Sequence, residues 1–458
     1  MKTALVALTS LMLCPLLAGA QSRLDFTLHK LDSHRPGRVL LVVGGIQGDE
    51  PGGFNAAALL VKHYRIKNGA IWVVPNLNFP SIIKGSRGIY GDLNRKFASV
   101  ADSDPELQTI EKIKSLILDP HVDLVLNLHD GSGFYRPEHI DDLHNPDRWG
   151  QSVIIDQERI DSKKFGNLGD IARHVVGVVN RSIGLEEHGY AVKNTETRMG
   201  NVEMAKTLTY FAIGHRRPAF GVEASKSFLT EERSLHHLQV LEAFLDVMGI
   251  AYERDFPLTV DGVKGAIEGR ADLALFDKRI FLQVNNARPL IAQVPFNRAS
   301  ALAFTPSDPL MAMVPDGPIY DVYRGNRRLT QIAPAYFDYD SSIHRIRIEV
   351  DGVEQTVGFG ELVGVGSCFR VLPQAGYRVN VIGYRKPGVG DESGLAIHRA
   401  DMEDRFSIDR DSHMFRVEVY RDGKFTGMLL AEFGRRRDLV AVNSDRVTTS
   451  PPGDSTLR

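Results

Sequence analysis

The sequence predicts an α/β domain with a largely parallel sheet, followed by all-β structure. Three observations carry this. Up to about Gly249, short Val/Leu/Ile-rich runs alternate with segments of helical periodicity. Beyond it, short apolar runs broken by Asp-Gly, Pro and Asn take over. The stretch MFRVEVYRDGKFTGMLLAEF (414–433) reads as a hairpin turning at Asp422-Gly423. The expected organisation is a leader over 1–20, an α/β domain over 21–250, small β domains over 251–340 and 341–442, and a flexible tail over 443–458.

Lys2 precedes an apolar run from Ala4 to Leu17, and Ala18-Gly19-Ala20 supplies small residues at cleavage positions. This is the pattern of a secretory signal peptide. The run is shorter than the ~20 residues of a membrane-spanning helix, so no membrane span is expected in the mature chain. Arg38–Gly44 (RVLLVVG) is the first buried strand, and a helix over Phe54–Tyr64 follows Pro51-Gly52-Gly53. Ala70–Val74 is the next strand, ended by Pro75. Glu106–Leu118 is an amphipathic helix, with Leu107, Ile110, Ile113 and Ile117 on one face. Val122–Leu128 and Pro218–Val222 are strands. Leu168–Val179, Val202–Ile213 and Glu231–Met248 are helices. The final β domain reads as sandwich-like, although hairpin signals alone do not separate a sandwich from a barrel.

The 458 residues carry 55 Lys plus Arg against 57 Asp plus Glu, a net charge of −2. That balance excludes a general nucleic-acid binder, which would show a basic excess. Apolar content of 43% and charged content of 24% exclude a disordered chain. The two cysteines are Cys14 and Cys368. Cleavage of the leader would leave Cys368 alone, read as buried and inert.

Ionisable residues gather near the C-terminal ends of the predicted strands, where open α/β sheets bind ligands. The first strand runs into Gln47, Asp49 and Glu50, the third into His129 and Asp130, and Pro218–Val222 into Glu223. An amide oxygen, a carboxylate and an imidazole from Gln47, Glu50 and His129 can hold a divalent metal and leave a position open for water. Glu223 can then act as general base. His236-His237 reads as helix surface, since adjacent helical residues point apart. His215 reads as a helix C-terminal charge, and nothing singles out His139 or His144.

The elements Gln47-x-x-Glu50, Asp92-Leu93-Asn94-Arg95, Leu128-His129-Asp130-Gly131 and Val222-Glu223 resemble, in order and spacing, the M14 (carboxypeptidase A-like) zinc carboxypeptidases. That family carries His where this chain has Gln47. Gln in the metal set, a leader and two β domains make the chain similar to the periplasmic murein DL-carboxypeptidases that determine helical cell shape. The resemblance implies a mixed, mostly parallel sheet flanked by helices, then one barrel-like and one immunoglobulin-like β domain. It implies one zinc ion on Gln47, Glu50 and His129, with Glu223 as base and Arg87 supporting the oxyanion. Asn94 and Arg95 would grip the terminal carboxylate, with Trp149 and Thr209 in the side-chain pocket. The implied reaction releases diaminopimelate from the murein tripeptide L-Ala-γ-D-Glu-meso-diaminopimelate. Shape-complex proteins would be possible partners of the β domains. Two alternatives stay open: a zinc amidase of the aspartoacylase or desuccinylase type, and a non-catalytic murein-binding scaffold.

Overall fold

The computed structural model describes residues 24–386 and 389–434. The expected leader, Cys14 and the expected tail lie outside the described residues. Among the described residues, no helix is long and apolar enough to cross a membrane.

The first part comprises, in chain order, β1 (His29–Asp32), β2 (Val39–Val43), α1 (Pro51–His63), β3 (Tyr64–Ile66), β4 (Ala70–Val74), α2 (Phe79–Lys84), α3 (Leu107–Leu118), β5 (Leu124–Gly131), β6 (Phe134–Tyr135), β7 (His144–Asn145) and β8 (Ser152–Ile155). It continues through α4 (Leu168–Asn180), β9 (Ala191–Asn194), α5 (Leu208–Gly214), β10 (Ala219–Ser225), α6 (Thr230–Met248), β11 (Tyr252–Arg254) and α7 (Val260–Glu268). Seven strands form one sheet in the order β1-β4-β2-β5-β10-β8-β9. The central β4, β2, β5 and β10 are mutually parallel. Their near-continuous apolar sequences fit a sheet covered on both faces. The edges reverse direction: β1 is antiparallel to β4, and β8 to β10. The expected sheet, mixed and mostly parallel, is thus present.

Several local expectations need correction. Helix α1 begins at Pro51, so Gly52 and Gly53 are its first turn rather than a break before it. They allow the helix to touch β5. A Cβ on Gly52 would lie 2.4 Å from Asp130 Oδ1, and one on Gly53 2.9 Å from the Leu128 carbonyl oxygen. The expected helix over 202–213 divides into a 3-10 turn, Met204–Lys206, and α5. Thr207 caps α5 by accepting a hydrogen bond from the Tyr210 N–H. Strands β8 and β9 were not anticipated. Helix α7 falls where a β domain was expected, yet it buries Val263 and Ala266 in the α/β core. Cys368 is half-buried rather than fully buried.

The remainder is all β. Strands Leu290–Asn297, Met311–Asp316, Ile319–Arg324 and Arg327–Phe337 form one four-stranded sheet. Two further four-stranded sheets enclose a core that includes Ile348, Phe369, Phe415 and Val417. The predicted hairpin is present as Met414–Arg421 and Lys424–Phe433. Its sides serve different cores. Phe415, Val417 and Val419 join that terminal core, whereas Met414 and Tyr420 pack with Leu273, Ile291 and Val322. Period-two alternation explains the division. The expected boundary at 340 therefore does not separate two independent cores.

The β part also grips α1. Phe54 and Ala58 pack with Leu310 and Ala312. Buried Asp308 pairs with Lys62 at 3.0 Å and with Arg324 at 2.6 Å.

Candidate active site

Strands β5 and β10 are adjacent and parallel, and His129 is directly opposite Glu223. Both sit within their strands, which run on to Gly131 and Ser225. Rigid sheet therefore holds these two groups. Gln47 and Glu50 come from the β2–α1 connection, with Glu50 at the N-cap position of α1. Gln47 Oε1 and Glu50 Oε2 each lie 2.9 Å from His129 Nδ1. Three donor atoms, two from the β2–α1 connection and one from strand β5, thus converge on one point.

Their orientations are held from behind. Gln47 Nε2 donates to Asp92 Oδ1 at 2.9 Å, which turns the amide oxygen toward His129. The Asp130 N–H donates to Glu50 Oε2 at 3.2 Å. Asn127 Nδ2 lies 2.7 Å from His129 Nε2, while the buried Asn127 Oδ1 has no partner. A half-turn of this amide offers an acceptor to Nε2, which is what a His donating Nδ1 to a cation requires.

Burial disfavours charge on His129, but Glu50 overrides it, with smaller contributions from Glu223 and Asp92, and the imidazole holds its proton above the usual range. Burial pushes the Glu223 carboxyl up, and Glu50 and Asp130 add to this against the pull of His129. An imidazole ringed by acids is a setting that favours a cation. Oxygen, oxygen and nitrogen donors suit a divalent ion, so these residues fit the metal of a hydrolytic site. Among the described residues no group of three His, Cys, Asp or Glu side chains is placed to hold a metal. The third donor here is an amide.

These groups open on a cavity of about 280 Å³. All nine residues singled out from the sequence line it: Gln47, Glu50, Arg87, Asn94, Arg95, His129, Trp149, Thr209 and Glu223. Arg87 reaches Asp92 Oδ2 at 2.9 Å and Glu50 Oε1 at 3.4 Å. Asn94 Oδ1 accepts from the Leu208 N–H at 3.0 Å, which leaves its NH2 group as donor. Arg95 donates from Nη1 to the Asn94 carbonyl oxygen at 3.2 Å, and its only ionic contact among the described residues is a loose one with the exposed Glu203 at 3.6 Å. Lys193 sits 4.3 Å above the Trp149 ring and braces it.

Other participants were missed. Asp92 orders both Gln47 and Arg87, and its place beside Leu93-Asn94-Arg95 was the available signal. Lys226 lines the cavity 3.8 Å from Glu50. His237 is fully buried, contrary to the surface reading, and its Nε2 lies 3.1 Å from Asp130 Oδ1. Arg233 and the Gly52 N–H also bond Asp130. This knot joins α6, α1 and β5 behind the site. Phe134 stacks against both His144 and His188.

No curated protein sequence matches the chain. Residues 12–268 match the peptidase M99 family, described as the catalytic part of a carboxypeptidase controlling helical cell shape. Residues 339–434 match the C-terminal domain of metallo-carboxypeptidases. Among solved structures, the apo form of the cell shape determinant Csd4 from Helicobacter pylori is 34% identical over 89% of this chain and 100% of that one, with a TM-score of 0.82. The mDAP-bound form of the same protein, described as a D,L-carboxypeptidase, is 35% identical over 88% and 99%, also at 0.82. Its tripeptide-bound form is 35% identical over 89% and 100%, at 0.81. With that agreement across both parts of the molecule, the chain belongs to the peptidase M99 family and is a metallocarboxypeptidase of the kind that controls helical cell shape.

Proposed function

We propose that this protein is a zinc-dependent DL-carboxypeptidase that removes the terminal diaminopimelate from the murein tripeptide L-Ala-γ-D-Glu-meso-diaminopimelate. We place it in the periplasm, the compartment addressed by the segment from Lys2 to Ala20. The single observation behind the reading is the convergence of Gln47 Oε1, Glu50 Oε2 and His129 Nδ1 beside Glu223, in a cavity shared with Arg95. The ligands bound to Csd4 supply the substrate class.

Gln47, Glu50 and His129 would hold the ion. Zinc, when bound, supplies Lewis-acid polarisation of the scissile carbonyl and makes water more acidic. Glu223 takes the proton of the attacking water and returns it to the leaving amine. Its buried position makes it a stronger base than an exposed glutamate. Arg87 stabilises the developing oxyanion, a role typically worth ~3–4 kcal/mol. Arg95 exchanges its loose contact with Glu203 for the substrate's terminal carboxylate, and the Asn94 NH2 adds a further donor. An internal peptide bond offers no carboxylate, so Arg95 selects chain ends. Trp149 and Thr209 border the space for the terminal side chain. The two facing β sheets near the C-terminus suit an immunoglobulin-like sandwich, and the β structure before them a barrel-like module.

Purified protein with zinc should release diaminopimelate from the tripeptide, lose this activity to a chelator and regain it on zinc addition. Glu223→Ala should abolish release while retaining zinc. No release from a zinc-loaded, folded protein would overturn the proposal.

A further inference from the structure

One carboxylate near the cavity has no electrostatic explanation in the scheme above. Asp156 follows β8 and is 1% exposed. Its Oδ1 accepts hydrogen bonds from Thr195, at 3.0 Å, and from Thr197. Its Oδ2 makes no hydrogen bond. Burial pushes its carboxyl up, against the hydroxyls of Thr197, Thr195 and Thr209 that favour its charged form, and no cation is among these groups. Burying a carboxylate without a cation is costly, so an unpaired one points to a partner that arrives later.

The position of Asp156 indicates what that partner meets. Ile154, two residues earlier and hence on the same strand face, lines the cavity. Thr209 lines it as well, and its hydroxyl faces the Asp156 carboxyl. Thr207, another lining residue, has its hydroxyl 3.1 Å from that of Thr209. Each hydroxyl carries one proton. Thr207 donates its proton to the Met204 carbonyl oxygen at 2.8 Å. The Thr209 proton is drawn to Asp156 or to Thr207. Thr207 already accepts from the Tyr210 N–H, so the Thr209 oxygen is the acceptor turned to the cavity, backed by the Asp156 carboxyl. Elsewhere the cavity wall carries the donors Arg87, Asn94 and Arg95. The cavity thus has a donor region and an acceptor region.

We propose that Asp156 is a positioning residue that, through Thr209, makes this wall of the cavity select a terminal residue whose side chain bears an ammonium group. The proposal rests on the carboxypeptidase reading above and assigns the groups that read the side chain. Asp156 draws the Thr209 hydroxyl proton away from the ligand and places a carboxyl behind the oxygen that would meet a cation. A side chain of equal length without the amine would leave this acceptor unpaired.

The test is calorimetric binding to the zinc-loaded protein. One ligand is meso-diaminopimelate, and the other is 2-aminopimelate, which lacks the distal amine. The wild type should prefer diaminopimelate by about tenfold or more, as expected for a hydrogen bond to a charged group. Asp156→Asn should remove most of that preference and leave 2-aminopimelate binding little changed, and Thr209→Val should independently remove the preference. Equal binding of the two ligands by the wild type would overturn the proposal. So would a matching loss for both ligands in folded variants, which is the mark of a purely structural role. Binding of neither ligand, with no tripeptide hydrolysis, would overturn the carboxypeptidase reading and this assignment together.

Discussion

Gln47 takes part in two bonds that work together. Its oxygen faces His129 Nδ1, and its nitrogen is spent on Asp92. Gln47→His should keep or tighten zinc binding, because imidazole nitrogen is a better zinc donor than a neutral amide oxygen. Gln47→Ala should weaken it markedly, and competition with a chromogenic chelator measures both. Asp92→Ala should cost about 10–100-fold in metal affinity, the usual effect of removing a group that orients a ligand. An unchanged affinity in that variant would show that the amide needs no orienting partner. The convergence of Gln47, Glu50, His129 and Glu223 was legible from the sequence, because motif spacing and strand ends bring them together. The supporting groups were not. Asp92 acts across 45 residues of sequence and His237 across 107, and neither distance leaves a local pattern. The surface reading of His237 failed because adjacency on a helix shows only that two side chains diverge, not which of them faces the sheet.

Among the elements, α1 couples packing to chemistry. Its N-terminus carries Glu50, and its first turn presses on β5 through Gly52 and Gly53. Gly52→Ala would drive a methyl into Asp130 Oδ1 and the Arg233 Cβ. Overpacking of this kind costs about 1–3 kcal/mol, and the expected result is a lower denaturation midpoint together with weaker zinc binding. Wild-type values for both would show that the helix can shift without consequence. Pro51-Gly52-Gly53 read as a break because glycine disfavours helices, yet close approach to a strand overrode propensity. The parallel strands were legible because they are doubly covered and nearly all apolar. Strands β8 and β9 are four residues each, too short for alternation to stand out. Helix α7, nine residues long, was concealed by the glycines at 262 and 265.

Across the whole molecule, Asp308 ties the β part to α1. Burial opposes its charge, but Lys62 and Arg324 hold its carboxyl below the usual carboxylate range. Its unfolded counterpart binds protons more readily. Stability from this ion triad is therefore complete above the unfolded pKa of about 3.9, and it drains away as pH falls through the lower folded value. Asp308→Asn should cost about 3 kcal/mol at neutral pH by leaving two cations without their partner. The gap from wild type should narrow in urea titrations run at progressively lower pH below 4. A gap independent of pH would remove the ion triad from the account. The two-part plan of the chain was legible in its change of pattern near 249, whereas the sharing of cores was not, because it depends on which side of the last hairpin meets which sheet.

That hairpin has a consequence for the order of assembly. Met414, Tyr420, Phe425, Met428 and Leu430 complete the core built around Leu273, Ile291 and Val322. A nascent chain that has emerged only as far as residue 400 can close its α/β unit but holds the middle module open, with an apolar wall awaiting strands not yet made. Synthesis halted there should yield a species sensitive to protease after about residue 270, and only the arrival of the last strands should seal it.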